Sequence, residues 1–132
     1  MKLRRTSRAA VSLGVAALSL FAFTGTAQAT ADMPYVGYGY PNLPAAVRCA
    51  QDFSNLFGGY WPPIIVDGKY GPDTNWAIKQ FQSHMVRTGQ YNLTVDGVVG
   101  KATGSAMLQL AWQAGIRDAR YGQCYAALPN TL

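Results

Sequence analysis

The sequence predicts an all-α fold: a small three-helix bundle with two repeated turn-plus-helix units, an extended N-terminal leader and a disulfide-clasped C-terminal tail. Three observations carry that expectation. Two nine-residue runs, Val66-Asp67-Gly68-Lys69-Tyr70-Gly71-Pro72-Asp73-Thr74 and Val95-Asp96-Gly97-Val98-Val99-Gly100-Lys101-Ala102-Thr103, stand 29 positions apart and share Val, Asp, Gly, the second Gly and Thr. The match continues to Ala77 and Ala106, and repetition at a fixed spacing marks one supersecondary unit used twice. Apolar residues recur at three- and four-residue intervals in three separate segments, the period of helices with one buried face. The chain has two cysteines, Cys49 in the first of those segments and Cys124 near the end.

The elements follow in chain order. Lys2, Arg4, Arg5 and Arg8 precede an apolar stretch from Ala9 to Phe23, and Ala27-Gln28-Ala29 supplies a small-x-small pattern. Residues 1–29 therefore read as a secretory signal peptide cut before Thr30. The apolar run falls short of the ~20 residues that a membrane span needs. The expected destination is secreted, extracellular or cell-wall associated, with no membrane contact after cleavage. Without this segment seven basic residues face six aspartates, a net charge near +1 in place of +5. That balance is no signature of a nucleic-acid partner. An even cysteine count in an oxidising compartment favours a Cys49–Cys124 bridge. Closing a loop of about 75 residues, it is worth ~4 kcal/mol in the chain-entropy model.

Residues 30–43 form a Tyr/Gly/Pro-rich leader with no helical or strand period. A first helix starts near Pro44, carries the stripe Ala46, Val47, Ala50, Phe53, Leu56 and Phe57, and stops at Gly58-Gly59. Tyr60-Trp61-Pro62-Pro63 makes a rigid connection. Asp67-Gly68 is a turn pair, Gly71 a cap and Pro72 the first residue of a second helix, with Ala77, Ile78, Phe81 and Met85 on one face as far as Gly89. The second repeat turns at Asp96-Gly97, caps at Gly100 and places Ala106, Met107, Leu110 and Ala111 inward. The folded unit is thus 44–111. Residues 112–132, with Tyr121, Cys124, Tyr125 and Leu128, are an extension that folds back onto the first helix.

Chemistry-bearing residues are scarce. Glycoside hydrolysis uses a pair of carboxylates, but Asp67 and Asp96 are explained by their turns, and the chain has no glutamate. A catalytic zinc site needs three protein ligands, and His84 is the one histidine. A bridged cysteine pair leaves no thiol nucleophile. The expectation is a protein that is not an enzyme, with no catalytic residue, no metal and no cofactor.

The motifs resemble the small three-helix peptidoglycan-binding modules of bacterial cell-wall enzymes, over roughly Ala46 to Leu110. The resemblance rests on Ala46-Val47-Arg48-Cys49-Ala50-Gln51, on the two Asp-Gly-x-x-Gly runs, and on Ala77-Ile78-x-x-Phe81-Gln82 between them. It implies binding to wall peptidoglycan, glycan strand or stem peptide. The chain departs from the pattern in its aromatic, proline-rich connection from Tyr60 to Ile65, its long segment from Thr88 to Thr94, and its cysteine-bearing tail.

Helical geometry of 100° per residue turns Trp76 away from the buried face of the second helix. It is then either a stacking platform for a ligand or covered by the leader or tail. Trp112 stands likewise on the third helix, with the tail near enough to cover it. A groove along the two repeat loops and their helix starts is the expected site, since helix N-terminal N–H groups hold carboxylates. Its candidate ligand-binding residues are Tyr60, Trp61, Asp67, Tyr70, Thr74, Trp76, Gln82 and Asp96. Turn formation and capping account equally for the polar members. The function expected is a secreted, non-catalytic peptidoglycan-binding module. The alternatives are a secreted interaction or inhibitor protein using the same fold for an extracellular protein partner, and a wall hydrolase.

Overall fold

A computed structural model describes residues 32–132, so the signal-peptide reading lies outside the described residues. The chain forms α1 (Pro44–Phe57), α2 (Pro72–Arg87), α3 (Lys101–Gln113) and α4 (Ala119–Ala127). The described residues contain no β-strand, only one antiparallel bridge between Val36 and Val99. Helices α1 and α2 each open on a proline, whose fixed φ suits a first turn and whose missing N–H has no helical partner to lose. Helix α1 stops at Phe57, before Gly58 and the positive-φ Gly59. Helix α3 runs to Gln113, two residues past the boundary read from the apolar stripe.

Helix α1 is the hub, packing on α2, α3 and α4. Its Val47 and Phe53 meet Ile78 and Phe81 of α2 and Met107 and Leu108 of α3 in one fully buried cluster. Each such side chain contributes on the order of 1.5–3 kcal/mol. Both terminal segments add to this cluster. Val36 of the leader and Leu128 of the tail have no exposed surface, so the leader is packed on the domain through its bridge to Val99.

The tail contains a helix that the apolar pattern does not reveal. Only Cys124 of α4 is buried, so the segment carries no stripe to read. Asp118 starts it by accepting hydrogen bonds from the Arg120 and Tyr121 N–H groups at 3.0 and 3.4 Å. The Cys49–Cys124 disulfide fastens α4 to α1. Beyond α4 the chain returns to α3. There the Pro129 carbonyl occupies the space a side chain at Gly104 would need, and the Thr131 N–H donates to Ser105 Oγ at 3.0 Å.

Candidate functional site

Each repeat loop is fastened to the preceding helix by one buried glutamine. On α1, Gln51 Nε2 donates to Asp67 Oδ1 (2.9 Å), the Lys69 carbonyl (3.2 Å) and Thr74 Oγ1 (2.9 Å). Its Oε1 accepts from the N–H groups of Asp67 (3.1 Å) and Gly68 (2.9 Å). On α2, Gln82 repeats the pattern. Its Nε2 donates to Asp96 Oδ1 (3.0 Å), the Val98 carbonyl (2.9 Å) and Thr103 Oγ1 (3.2 Å), and its Oε1 accepts from Asp96 and Gly97 N–H at 3.1 and 2.9 Å. The turn glycines, Gly68 and Gly97, both have φ of +77°, a region open to glycine and strained for other residues.

This device relocates four of the expected ligand contacts. Gln82 is fully buried and Thr74 is 2% exposed. Their polar groups serve the loops, and neither faces the surface. Asp67 and Asp96 are exposed, but Oδ1 of each is committed within its turn, accepting also from Lys69 N–H (2.9 Å) and Val98 N–H (2.8 Å). The bond from Gln51 is the main reason the Asp67 carboxyl is held below its ordinary pKa. Gln51, the partner of the first loop, was not among the expected site residues. A signal for it exists: Ala46-Val47-x-x-Ala50-Gln51 and Ala77-Ile78-x-x-Phe81-Gln82 stand 31 positions apart, so each loop is preceded by a helix carrying the same glutamine.

The aromatic candidates divide by exposure. Tyr70 ties the two loops together, its hydroxyl donating to the Gly97 carbonyl at 2.7 Å and accepting from Asn75 Nδ2 at 2.8 Å. Burial raises its pKa. Tyr60 donates to Asn55 Oδ1 at 2.8 Å and lays its ring edge-on to Trp76, with centroids 4.8 Å apart. Burial pushes its hydroxyl pKa to about 12. Asn55 also bonds the N–H and carbonyl of Ile64, each at 2.9 Å, which pins the aromatic connection to α1. On that support Trp61 is 85% exposed, Ile65 81% and Trp76 45%. Among the described aromatic residues, Tyr60 packs on Trp76. Trp112 does meet the tail, with Tyr121 5.5 Å away and the Arg117 guanidinium 4.2 Å from its ring centroid.

Each loop has its own shallow pocket, one of about 190 Å³ with Ile65, Asp67, Lys69, Tyr70 and Asp73, the other of about 290 Å³ with Tyr35, Tyr40, Asp96, Val98 and Lys101. Among the described residues, no three of His, Cys, Asp or Glu gather where they could hold a metal ion, and no helix is long and apolar enough to cross a membrane.

Residues 45–107 match the family model described as a peptidoglycan binding domain. No curated protein and no solved structure matches the chain. The matched span begins in α1 and ends in α3, enclosing both glutamine-fastened loops and leaving the leader and α4 outside. Over residues 45–107, just under half of the chain, the sequence is thus similar to the peptidoglycan binding domain family.

Proposed function

We propose that the protein is a secreted, non-catalytic module that binds bacterial cell-wall peptidoglycan through the outward face of the first repeat. The observation that carries this reading is the exposure of Trp61 and Ile65, on a connection pinned by Asn55 and Tyr60, and of Trp76 on α2, where Tyr60 packs against it. Large apolar groups left in water on rigid support mark interaction surfaces, and tryptophan offers one apolar face for stacking and one N–H for bonding. The family-model match over residues 45–107 supports peptidoglycan as the partner. Secretion is supported by the signal-like first 29 residues and by the disulfide, which persists in oxidising compartments.

The non-catalytic reading rests on the aspartates. A general acid needs a raised pKa, whereas hydrogen bonding lowers that of Asp67 and its Oδ1 is occupied by the turn. Co-sedimentation of the oxidised protein with purified sacculi tests the binding. Pelleting without any fall in sacculus turbidity is expected; clearing of the suspension would mean a hydrolase.

One feature favours a second reading, an interaction protein with an extracellular protein partner. Trp112, Tyr121, Gln109, Gln113 and Leu132 line a pocket of about 330 Å³ built largely outside the family span. Failure to bind sacculi, together with retention of one extracellular protein, would support that alternative.

A further inference from the structure

The second repeat already holds an extended segment of this chain. Val36 N–H donates to the Val99 carbonyl at 3.2 Å, and Val99 N–H donates to the Val36 carbonyl at 2.8 Å. Tyr35 lies over Gly100, so a Cβ built there would come within 3.1 Å of its ring.

Val99 and Gly100 correspond, 29 positions back, to Tyr70 and Gly71. The two loops share their glutamine fastening and their glycine φ, so the first repeat presents its backbone in the same manner. What differs is backbone pairing: the leader reaches the first loop through the Tyr38 ring, edge-on to the Tyr70 ring with centroids 5.0 Å apart, and leaves the Tyr70 main chain unpaired. Among the described residues the Tyr70 N–H and carbonyl have no hydrogen-bond partner. A Cβ built at Gly71 meets no atom within 4 Å. The pocket walls also correspond, Ile65 to Thr94, Asp67 to Asp96, Lys69 to Val98 and Asp73 to Ala102.

We propose that the loop edge at Tyr70 and Gly71 binds a peptidoglycan stem peptide as an extended strand, paired to the Tyr70 backbone as Val36 is paired to Val99. Strand addition of this kind requires an N–H and a carbonyl along one extended main chain, which a peptide has, whereas a wall glycan carries its amides only as pendant acetamido groups. Charge points the same way. The leader residues from Tyr35 to Tyr40 are uncharged, and they lie on a loop whose Val98 and Ala102 are uncharged. At the first repeat those positions are Lys69 and Asp73, and neither forms an ion pair among the described residues. Such a rim suits a peptide carrying both carboxylates and a free amine, as stem peptides with a diamino acid do. The assignment rests on the cell-wall reading above.

Amide hydrogen exchange of the oxidised protein, with and without a synthetic stem tetrapeptide containing a diamino acid, tests it. In the free protein the Tyr70 amide should exchange much faster than that of Val99, and saturating peptide should slow it at least tenfold. Gly71→Phe, at a position with φ of −152° that any residue adopts, should fill the vacant space. It should weaken sacculus binding tenfold or more with the melting temperature unchanged. If sacculi pellet the protein but the peptide leaves Tyr70 unprotected, the peptide edge is wrong and the wall reading stands. Unaltered sacculus binding by folded Gly71→Phe would overturn the edge equally. Absence of pelleting by the parent protein would overturn the wall reading itself. Protection of Tyr70 by a synthetic copy of residues 32–42 and not by the stem peptide would make the edge a self-association site and overturn the proposal.

Discussion

In the first repeat Trp76 stands on the second turn of α2, 45% exposed beside an open loop. The residue 29 positions on, Ser105, is 9% exposed and bonded to Thr131 of the tail. Similar contrasts run along the two helices. Lys79 is exposed on α2, whereas its counterpart Leu108 is fully buried on α3. Pro72 has no tie to the leader, but Lys101 pairs with Asp32 at 2.7 Å. Underneath, the two units are alike, each loop hung from one glutamine by five hydrogen bonds. The duplicated interior fixes loop shape, and the terminal segments decide which copy keeps a free outer face. The leader's Val36 and Asp32 and the tail's Thr131 are bonded to the second repeat, whereas the leader meets the first through the Tyr38 ring, edge-on to Tyr70 with centroids 5.0 Å apart.

The largest test of that division removes the clasp. Cys49→Ala with Cys124→Ala opens a 75-residue loop and should cost ~4 kcal/mol in urea unfolding. Exchange should then rise at Ser105 and along α3 while the Asp67 and Gly68 amides of the first repeat stay protected by Gln51. Uniform loosening of both loops would mean that the tail is not specific to the second repeat.

The fastening itself comes next in size. Gln51→Leu and Gln82→Leu each take the acceptor from two backbone N–H groups, those of Asp67 and Gly68 or of Asp96 and Gly97, at a cost of about 2–4 kcal/mol each. The equivalence of the two loops requires the two losses to agree within about 1 kcal/mol, as measured by denaturant midpoints at constant m. A much smaller loss for one would show that the duplicated geometry is not duplicated energetics.

A smaller effect depends on pH. The folded pKa of Asp67 is lowered, so its contribution is fully present above the ordinary carboxylate pKa of about 3.9 and is lost as pH falls through the lower folded value. Asp67→Asn should therefore flatten the acid limb of stability below about pH 4, leaving the plateau near neutrality to reflect only the altered hydrogen bond. An unchanged acid limb would detach Asp67 from the loop's stability.

How much of this could be read beforehand depends on what leaves a pattern. The ends of α1 to α3 are punctuated by Pro44, Gly58-Gly59, Pro72 and Gly100, and their stripes have the helical period, so those helices were legible as elements, although Leu56 of the α1 stripe is 49% exposed and Leu108, outside the α3 stripe, is fully buried. Trp76 was legible too, because 100° per residue leaves it little choice of direction. Helix α4 was not, since a helix that buries one cysteine shows no period. The strap at Val36 involves a single pair of residues, too short to imprint an alternation. Gln51 and Gln82 read as surface polars by type, and only the network around them explains why an amide is buried there. A glutamine presents a donor and an acceptor together, which is what a turn offering both N–H groups and a carbonyl requires. For the same reason Thr74 and Gln82 were expected at the surface and lie inside.

The central claim is that the first repeat, not the second or the tail, carries the wall-binding face. Co-sedimentation with purified sacculi of the oxidised protein, Trp76→Ala and Trp112→Ala measures it most directly. The account predicts that Trp76→Ala binds at least tenfold more weakly, a loss of about 1.4 kcal/mol or more, while Trp112→Ala binds as the parent does. Equal binding by Trp76→Ala, or loss confined to Trp112→Ala, would contradict it.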